Sequence, residues 1–440
     1  MVMPHIRNEK GINWLKQVRM RLVTILGILM TSPAWGGGLW LYEQGTPDLG
    51  AATAGRAALA ADASTAGANP AGMTRLERSQ MLVGLQGLYV DAHFDTQRSG
   101  FDGGDGGNAG GFVPSGSVHY VHRLNPDWRL GLSVGSYFGL GVDYGDDWAG
   151  RYYIKEAELV TFGVNPGVGF RVADWLSVGA GFTVMQAKLH QTVGINNAAV
   201  PGQAGLSDGE LKLESDDVGY GFNLGMLLEL TPYTRFGITY RSEVKLEFKD
   251  VANLSGLGPV LQGLLNLSGL AGSRVDIDMT VPQAVMVSGY HQLTPAWAIV
   301  GNIGWQEWSE FGKQEISLQS SASRSFTKDL NYNDTWHFAL GAQYRFAPEW
   351  LWSFGAAYDT SPVDDDKDRT PDLALDRQIR LATGLQHDWN RDVTIGAAYE
   401  YIDLGDGGID RNDGPLKGPL RGDFSPNAIH VFALNMIWRF

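Results

Sequence analysis

The sequence contains no cysteine, few charges and no long apolar run. Without cysteine, none of the 440 residues can form a disulfide, a thiolate metal centre or a cysteine nucleophile. Charged residues make up only 19% of the chain, and acids outnumber bases for a net charge of −14, which argues against nucleic acid as a partner. The longest uncharged stretch, 251–273, holds five glycines, Pro259 and Asn266, so it is a poor candidate for a membrane-spanning helix.

The N-terminus has the layout of a secretory signal peptide. Five basic residues lie between positions 7 and 21, an apolar run covers 22–30, and small residues follow at Ala34 and Gly36. This nine-residue, mostly apolar run is too short for the alternative, a membrane anchor. We therefore expect a signal peptide over 1–36, cleaved after Gly36.

Much of the remaining chain alternates between apolar and polar residues with period two. One example is 275–281, where Val275, Ile277 and Met279 alternate with acids and threonine; 244–248 and 394–401 show the same pattern. Each pattern predicts a strand with one apolar and one polar face. A soluble sandwich has the same alternation, so the strands alone do not decide the fold.

The connections between these strands are more specific. Six short polar turns each carry an aromatic residue in or just behind them, as in Asn125-Pro126-Asp127-Trp128 and Thr294-Pro295-Ala296-Trp297. Seven longer Gly-, Asp- and Ser-rich loops lie between them. Thirteen connections predict fourteen strands, and short turns alternating with long loops are typical of an outer-membrane β-barrel. The end of the chain agrees, because alternate residues from Phe432 to Phe440 form one apolar face.

A fourteen-stranded barrel is too wide for its own side chains to fill. It is either an open pore or a plugged one. Residues 37–78 are rich in alanine and glycine, with short helical possibilities around 53–63, and do not alternate as a strand does. We expect a small helical N-terminal hatch over 37–78 that plugs the barrel, and a transmembrane barrel over 79–440; a disordered periplasmic tail is the alternative.

Several motifs resemble those of the FadL-type outer-membrane transporters, the family also known as OmpP1/FadL/TodX. The resemblance runs from the signal peptide to the terminal Phe440. The motifs are Leu41-Tyr42-Glu43-Gln44-Gly45, Ala54-Gly55-Arg56-Ala57-Ala58, Asn69-Pro70-Ala71-Gly72-Met73, Tyr240-Arg241-Ser242-Glu243-Val244, Val287-Ser288-Gly289-Tyr290 and Asp359-Thr360-Ser361-Pro362-Val363.

The resemblance implies an all-β membrane protein, a fourteen-stranded antiparallel barrel closed by a hatch, in the bacterial outer membrane. Such proteins take up hydrophobic molecules passively, long-chain fatty acids in many members and aromatic hydrocarbons in others. The ligand enters from outside, binds in an apolar pocket and leaves sideways through a gap in the wall.

The resemblance also implies where the site residues lie. By position, Leu39 near the mature N-terminus lines the pocket. The hatch motif, Asn69, Pro70 and Ala71, lies in the family against an inward kink of the third strand, which corresponds here to 130–144. Glycines recur along that strand and often mark a bend. The expected lateral gap comprises Gly135, Ser136, Tyr137, Phe138 and Gly139.

The expected ligand contacts are two lysines and an apolar outer loop. In the family, two basic residues near the extracellular end hold the ligand carboxylate. At the matching places this sequence has Lys188, with His190 nearby, and Lys313, and neither place matches the family cleanly. A neutral hydrocarbon therefore remains an alternative ligand. The loop 251–271 resembles an outer docking groove. Its candidate contacts are Leu257, Leu261, Leu264 and Leu265.

Two other functions remain as alternatives to hydrophobic uptake. A general diffusion porin would need an open polar lumen, against which the hatch motif argues. A Ser–His hydrolase would need a nucleophile motif, and none stands out, so we expect no enzyme. We expect no cofactor and no bound metal. The expected partners are a hydrophobic ligand, outer-membrane lipid and lipopolysaccharide, with the protein as a monomer and without nucleic acid.

Overall fold

The structure is a computed structural model that describes residues 39–40, 42–267, 273–319 and 324–440. The predicted signal peptide, 1–36, lies outside the described residues. Among the described residues, no helix is long and apolar enough to cross a membrane.

Fourteen antiparallel strands form the main body of the described chain, and five of them are interrupted. Their bounds are β1 Gln80–Ser99, β2 Gly111–Arg123, β3 Trp128–Gly135 and Phe138–Asp143, β4 Glu156–Ala173, β5 Leu176–Ile195, β6 Gly209–Thr231, β7 Thr234–Arg241 and Val244–Val251, β8 Arg274–Val281 and Ala284–Gln292, β9 Trp297–Gln306 and Lys313–Gln319, β10 Arg324–Asp329 and Thr335–Ala347, β11 Trp350–Asp359, β12 Gln378–Asp388, β13 Val393–Asp403 and β14 Pro419–Arg439.

The sheet closes into a barrel because its first strand pairs with its last. Leu85 of β1 lies opposite Gly116 of β2 on one side and opposite Leu434 of β14 on the other. Each intervening strand pairs with its neighbours in sequence. The prediction of a closed fourteen-stranded antiparallel barrel is confirmed. Closure leaves no sheet edge with unpaired backbone groups, as a lipid environment requires.

Alternation along the strands makes the outer face of the barrel apolar. On β14, Phe432 and Leu434 are 57% and 62% exposed. Ala433, which lies between them, and Ile437 point to the other face and are buried. Aromatic side chains also cluster near the short turns, where Trp297 stacks on Tyr344 with ring centroids 4.3 Å apart. Such an apolar outer band matches the hydrocarbon core of a bilayer, and aromatic girdles match its interfaces with water.

At the long-loop ends of β7 to β10 the apolar face points inward and the polar face points outward. Their segments Val244–Val251, Arg274–Val281, Lys313–Gln319 and Arg324–Asp329 form a separate four-stranded sheet. There Leu246 and Phe248 are buried inward, while Lys245 and Glu247 between them are exposed. The apolar faces of these extensions therefore line the interior instead of facing outward.

The residues before β1 fill the lower part of the barrel, on the short-turn side. This segment, 42–78, is called the hatch here. It contains the 3₁₀ helices Pro47–Ala51 and Pro70–Arg75 and the helices α1, Arg56–Leu59, and α2, Thr65–Ala68. Elsewhere α3, Pro259–Leu267, lies in the loop after β7, and α4, Trp308–Phe311, interrupts β9.

Glycines on the wall let the hatch backbone approach it closely. A Cβ on Gly237 would overlap the carbonyl of Ala57, and one on Gly179 would overlap the backbone of Pro70 and Ala71. These approaches account for part of the high glycine content, because a larger residue at either position would displace the hatch.

Candidate ligand-binding interior

A large apolar cluster occupies the inside of the barrel above the hatch, toward the long loops. We call it the apolar interior. Its buried members come from eight of the fourteen strands, from loops and from the hatch, so it is the product of barrel closure. They include Tyr42, Leu88, Val90, Phe138, Leu159, Met185, Leu189, Leu246, Phe248, Ile277, Met279, Trp308, Phe311, Ile402 and Val431.

One narrow cavity adjoins the apolar interior. This cavity, at the lower side of the interior and lined by Tyr137, Met185, Arg241, Val244 and Val281 among others, has a volume of only about 10 Å³. That is room for about one water molecule. A long hydrophobic ligand can bind there only if side chains or the hatch segment move.

Strand β3 is interrupted at Ser136 and Tyr137, beside this cavity. Below the break, β3 pairs with β2 as far as the Val118–Val134 pair. Above the break, the segment Phe138–Asp143 keeps its ladder to β4 but pairs on its other side with the short strand Leu39–Trp40. Residues 111–117 of β2 thus have no ladder to β3 within the described chain. The wall between β2 and β3 is opened at this height.

Side chains at the break connect it to the apolar interior, to the lower part of β3 and to Arg241 of β7. Phe138 contacts Phe311, with ring centroids 5.2 Å apart. Tyr137 shares a hydrogen bond of 2.8 Å with Ser133. The guanidinium of Arg241 lies 4.5 Å from the Tyr137 ring centroid, within cation–π range.

The beginning of the hatch is also fastened at the break. The Gln44 side-chain amide donates to the Ser136 carbonyl at 3.4 Å, and the Ser117 hydroxyl donates to the Gln44 carbonyl at 2.6 Å. Leu39, predicted to line the pocket, pairs through its backbone with Gly139. The chain segment nearest the predicted N-terminus of the mature protein therefore lies along the edge of the interrupted strand.

The hatch motif is fully buried and satisfies several backbone groups. The Asn69 amide donates to the carbonyls of Ala57, at 2.6 Å, and Met226, at 3.1 Å, and its oxygen accepts from the Ala71 N–H. This last bond caps the 3₁₀ helix that begins at Pro70. One asparagine thus ties two parts of the hatch to strand β6.

The family resemblance led us to expect the hatch motif to lie against the break in β3. In the structure the motif lies against other strands. Pro70 and Ala71 contact Gly169 of β4 and Gly179 of β5, and Asn69 contacts β6. The hatch reaches β3 through other residues, Gly67 beside Ser133 and Met73 beside Gly131. Glycines on β4, β5 and β6 explain the difference, because they provide the space that the motif occupies.

The two predicted lysines do not meet inside the barrel. Lys188 is exposed on the face of β5 opposite to Met185, Ala187 and Leu189, which are buried in the interior. Lys313 is also exposed and forms an ion pair of 2.6 Å with Glu310. Neither ammonium group lies in the apolar interior.

The predicted outer loop forms an amphipathic surface helix. In and before α3, Leu257, Leu261 and Leu265 are half-buried, and Leu264 is 55% exposed. The helix is fixed at its start by the Gln203 side chain, which accepts a 2.9 Å hydrogen bond from the Val260 N–H.

A buried charge network, missed by the sequence analysis, lies between the hatch and the wall. Arg380 of β12 binds Glu43 of the hatch, Asp359 at 2.9 Å and Gln378 at 2.7 Å. The opposite oxygen of Asp359 contacts His337 at 2.8 Å. The available signal was the occurrence of Arg380 and Glu400 at inward positions of otherwise apolar strands.

The network joins the apolar interior through Tyr42, whose ring centroid lies 4.7 Å from that of His337. Gln306 donates to the Tyr42 hydroxyl and accepts a 2.8 Å hydrogen bond from the Trp308 indole. Burial raises the pKa of the Tyr42 hydroxyl, so that it stays protonated. The network therefore anchors the hatch directly below the apolar cluster.

A polar cavity of about 310 Å³ opens on the short-turn side of the hatch. It is lined by Asp48, Arg56, Asp62, Arg235 and Gln292, with other residues. Arg56 and Asp48 pair at 2.7 Å. Its polar lining does not suit the passage of an apolar chain, in contrast to the opening beside β3.

Comparison with known proteins gives a consistent result over nearly the whole chain. The family model described as outer membrane protein transport protein (OMPP1/FadL/TodX) matches residues 27–440. A long-chain fatty acid transport protein of Escherichia coli O6:H1 is 30% identical over 400 residues, covering 85% of this chain and 88% of the relative. Outer membrane protein P1 of Haemophilus influenzae is 27% identical, covering 88% and 90%.

Solved structures show the same fold. A Pseudomonas aeruginosa FadL homologue matches with a TM-score of 0.82 at 21% identity, covering 92% of this chain and 100% of the homologue. The Pseudomonas putida toluene transporter TodX matches with a TM-score of 0.62 at 18% identity, covering 86% and 94%.

Proposed function

Because the chain belongs to the OmpP1/FadL/TodX family of outer-membrane transport proteins, we propose that it takes up long-chain fatty acids by diffusion through the barrel. The family transports hydrophobic compounds across the outer membrane. The choice of long-chain fatty acids rests on relatives with that name at about 30% identity.

One observation carries the proposed route: the interruption of β3 lies beside the apolar interior. Phe138 belongs both to the interrupted strand and to the apolar cluster. A ligand in the cluster has a short path to the bilayer there, whereas the route past the hatch ends in a polar cavity. Lateral release also keeps an apolar chain out of water.

We divide uptake into three steps. The ligand is captured at the outer loops, where Leu264 of α3 offers an exposed apolar contact. It then displaces side chains of the apolar interior. Movement of residues 39–40 and 42–44 finally frees the edge of β3, and the ligand leaves between β2 and β3 into the membrane. Gly135, Ser136, Tyr137, Phe138 and Gly139 form this proposed lateral gap.

Aromatic hydrocarbons are the second candidate ligands. The observation that favours them is the position of Lys188 and Lys313, since neither lysine can hold a carboxylate inside the barrel. The aromatic-rich interior, with Phe138, Trp308 and Phe311 in contact, would suit a small ring.

Uptake of labelled oleate tests the proposal. Cells lacking their own transporter would express this chain, with toluene as competitor and surface expression of the folded barrel confirmed. We expect oleate uptake that toluene does not reduce. Absence of oleate uptake together with entry of labelled toluene would contradict the fatty acid assignment and support the second candidate.

We also propose the maturation and state of the protein. The chain loses 1–36 as a signal peptide, retains 37–78 as the hatch and 79–440 as the barrel, and acts as a monomer in contact with outer-membrane lipid and lipopolysaccharide. The intact mass of the purified protein tests the cleavage site. A mass that retains residues 1–36 would contradict it.

A further inference from the structure

Glu400 is a buried acid set into the wall of the apolar interior. Its side chain has no exposed surface. On the same face of β13 its neighbours are Ala398 and Ile402, and across the ladder it lies opposite Val431, all of which pack in the apolar cluster. Burial of a carboxyl group is costly unless neighbouring groups compensate for the lost water, so the groups that face Glu400 decide what this site can bind.

With Glu400 itself counted, the cluster contains three acids and two basic groups within the described residues. Glu400 faces the carboxyl of Glu43, which is buried as well. Asp359 is the third acid of the cluster, and Arg380 its one guanidinium; His337 adds an imidazole bound to Asp359. The Arg380 guanidinium already donates hydrogen bonds to Glu43, Asp359 and Gln378.

The other buried guanidinium groups near the interior are engaged too. Arg241 lies over the Tyr137 ring and donates to the Gly67 carbonyl at 3.1 Å. Arg369 pairs with Asp366 at 3.0 Å and Asp376 at 3.5 Å. An entering carboxylate would have to displace an existing acid or carbonyl to gain a cation.

By contrast, the cluster offers hydrogen-bond acceptors. Within the described residues, both carboxyl oxygens of Glu400, one oxygen of Glu43 and the Nε2 of His337 have no hydrogen-bond partner, so unpartnered acceptor oxygens outnumber the one unpartnered imidazole nitrogen. A hydroxyl or a protonated carboxyl could donate to such atoms, whereas a carboxylate would add a further negative charge where the dielectric constant is low.

We propose that the apolar interior binds its ligand in an uncharged state, so that a fatty acid enters as the protonated acid. The proton comes from bulk water at the outer surface. This inference rests on the proposed function and narrows it to neutral long-chain compounds. It also explains why the expected lysines are absent from the interior.

Equilibrium binding of two matched probes tests the inference. Oleyl alcohol and oleate share a chain and differ in head-group charge, and both would be measured on the full-length folded protein near pH 8. We expect oleyl alcohol to bind at least about tenfold more tightly, since a buried unpaired carboxylate is strongly disfavoured. Oleate affinity should rise as the pH is lowered, while that of the alcohol stays constant.

The variant Glu400→Gln tests whether Glu400 contributes to the preference for an uncharged ligand. It replaces the buried carboxyl with an amide that cannot ionise and has two N–H donors, so we expect it to bind oleate at least about threefold more tightly than wild type does. Glu349→Gln, at an exposed short turn, is the matched control and should leave both affinities unchanged. The wild-type comparison stands even if Glu400→Gln fails to fold.

The outcomes separate this inference from the proposed function. Equal binding of oleate and oleyl alcohol by the wild type, at every pH, would overturn the inference and leave fatty acid uptake standing. Binding of neither probe would overturn both.

Discussion

At the scale of single residues, Asn69 holds the hatch together. Replacing it with alanine leaves the carbonyls of Ala57 and Met226 without their donor and the Ala71 N–H without its acceptor. Each buried group left unpaired costs about 1–3 kcal/mol. We expect Asn69→Ala to leave the barrel folded but loosen the hatch, measured as faster amide exchange in 42–78.

Asn412→Ala is the matched control, because Asn412 is exposed at the end of the short strand Ile409–Asn412, which pairs with β14 outside the hatch. It should leave hatch exchange at the wild-type rate. If Asn69→Ala exchanged as slowly as the control, the asparagine would not anchor the hatch.

We expect Asp62 to make the stability of the hatch depend on pH. Asp62 is buried, and its carboxylate accepts a 2.9 Å hydrogen bond from the Ser64 N–H. Burial raises the pKa of Asp62 above that of the unfolded chain. A raised acid pKa means that the folded hatch favours the protonated form, and stability falls as the pH rises from the unfolded pKa through the folded one.

Asp62→Asn keeps an acceptor oxygen but removes the charge. We expect its hatch to be more protected from amide exchange than the wild-type hatch near pH 7, with the difference vanishing near about pH 3, where both side chains are neutral. An equal difference at both pH values would show that the carboxylate is not strained by burial.

The residue scale is also where the sequence is least informative. The charges of Arg380, Glu43 and Glu400 can be read from it, but their contact cannot, because these residues are far apart in the chain and meet only when the barrel closes around the hatch. Similarly, alternation gives two faces to β5 without saying which one is inside. Lys188 was therefore expected near the ligand and lies on the exposed face.

At the scale of elements, the interrupted strand β3 is the central feature. Its break falls at Ser136 and Tyr137, within the residues that the glycine pattern and the family resemblance singled out. The place of the hatch motif was not predictable in the same way. It depends on glycines from three other strands whose alignment with the hatch is set by the closed barrel.

An arginine at the break tests whether ligands leave there. Ser136 is half-buried beside the hatch, and Ser136→Arg would put a bulky charge in the proposed gap. We expect uptake of labelled oleate to be lost while its binding to the purified protein persists, because the apolar interior is unchanged. Ser215→Arg, at a half-buried serine of β6, should preserve both. Normal uptake by Ser136→Arg would rule out lateral release at this point.

At the scale of the whole molecule, the short turns, long loops and alternation predict the fold well. These features reflect local geometry and the contrast between bilayer and water, which every strand experiences alike. The position of the hatch, by contrast, depends on the closed barrel as a whole. Its effect on the passage of ions through the barrel can be measured.

The hatch should keep the barrel closed to ions. We expect the wild-type protein to show little conductance in a planar bilayer, and a variant lacking 42–78 to form a steady pore, since fourteen strands leave a lumen that side chains alone do not fill. High conductance of the wild-type protein would instead identify a general diffusion porin.

Photo-cross-linking of a bound fatty acid tests the central claim, that ligands pass through the apolar interior, most directly. A long-chain fatty acid with a photoreactive group in mid-chain would be bound to the wild-type protein and the labelled peptides mapped by mass spectrometry. We predict labelling of inward residues such as Phe138, Met185 and Leu246, abolished by excess oleate. Labelling confined to bilayer-facing residues such as Phe346 and Leu385, and unaffected by oleate, would contradict it.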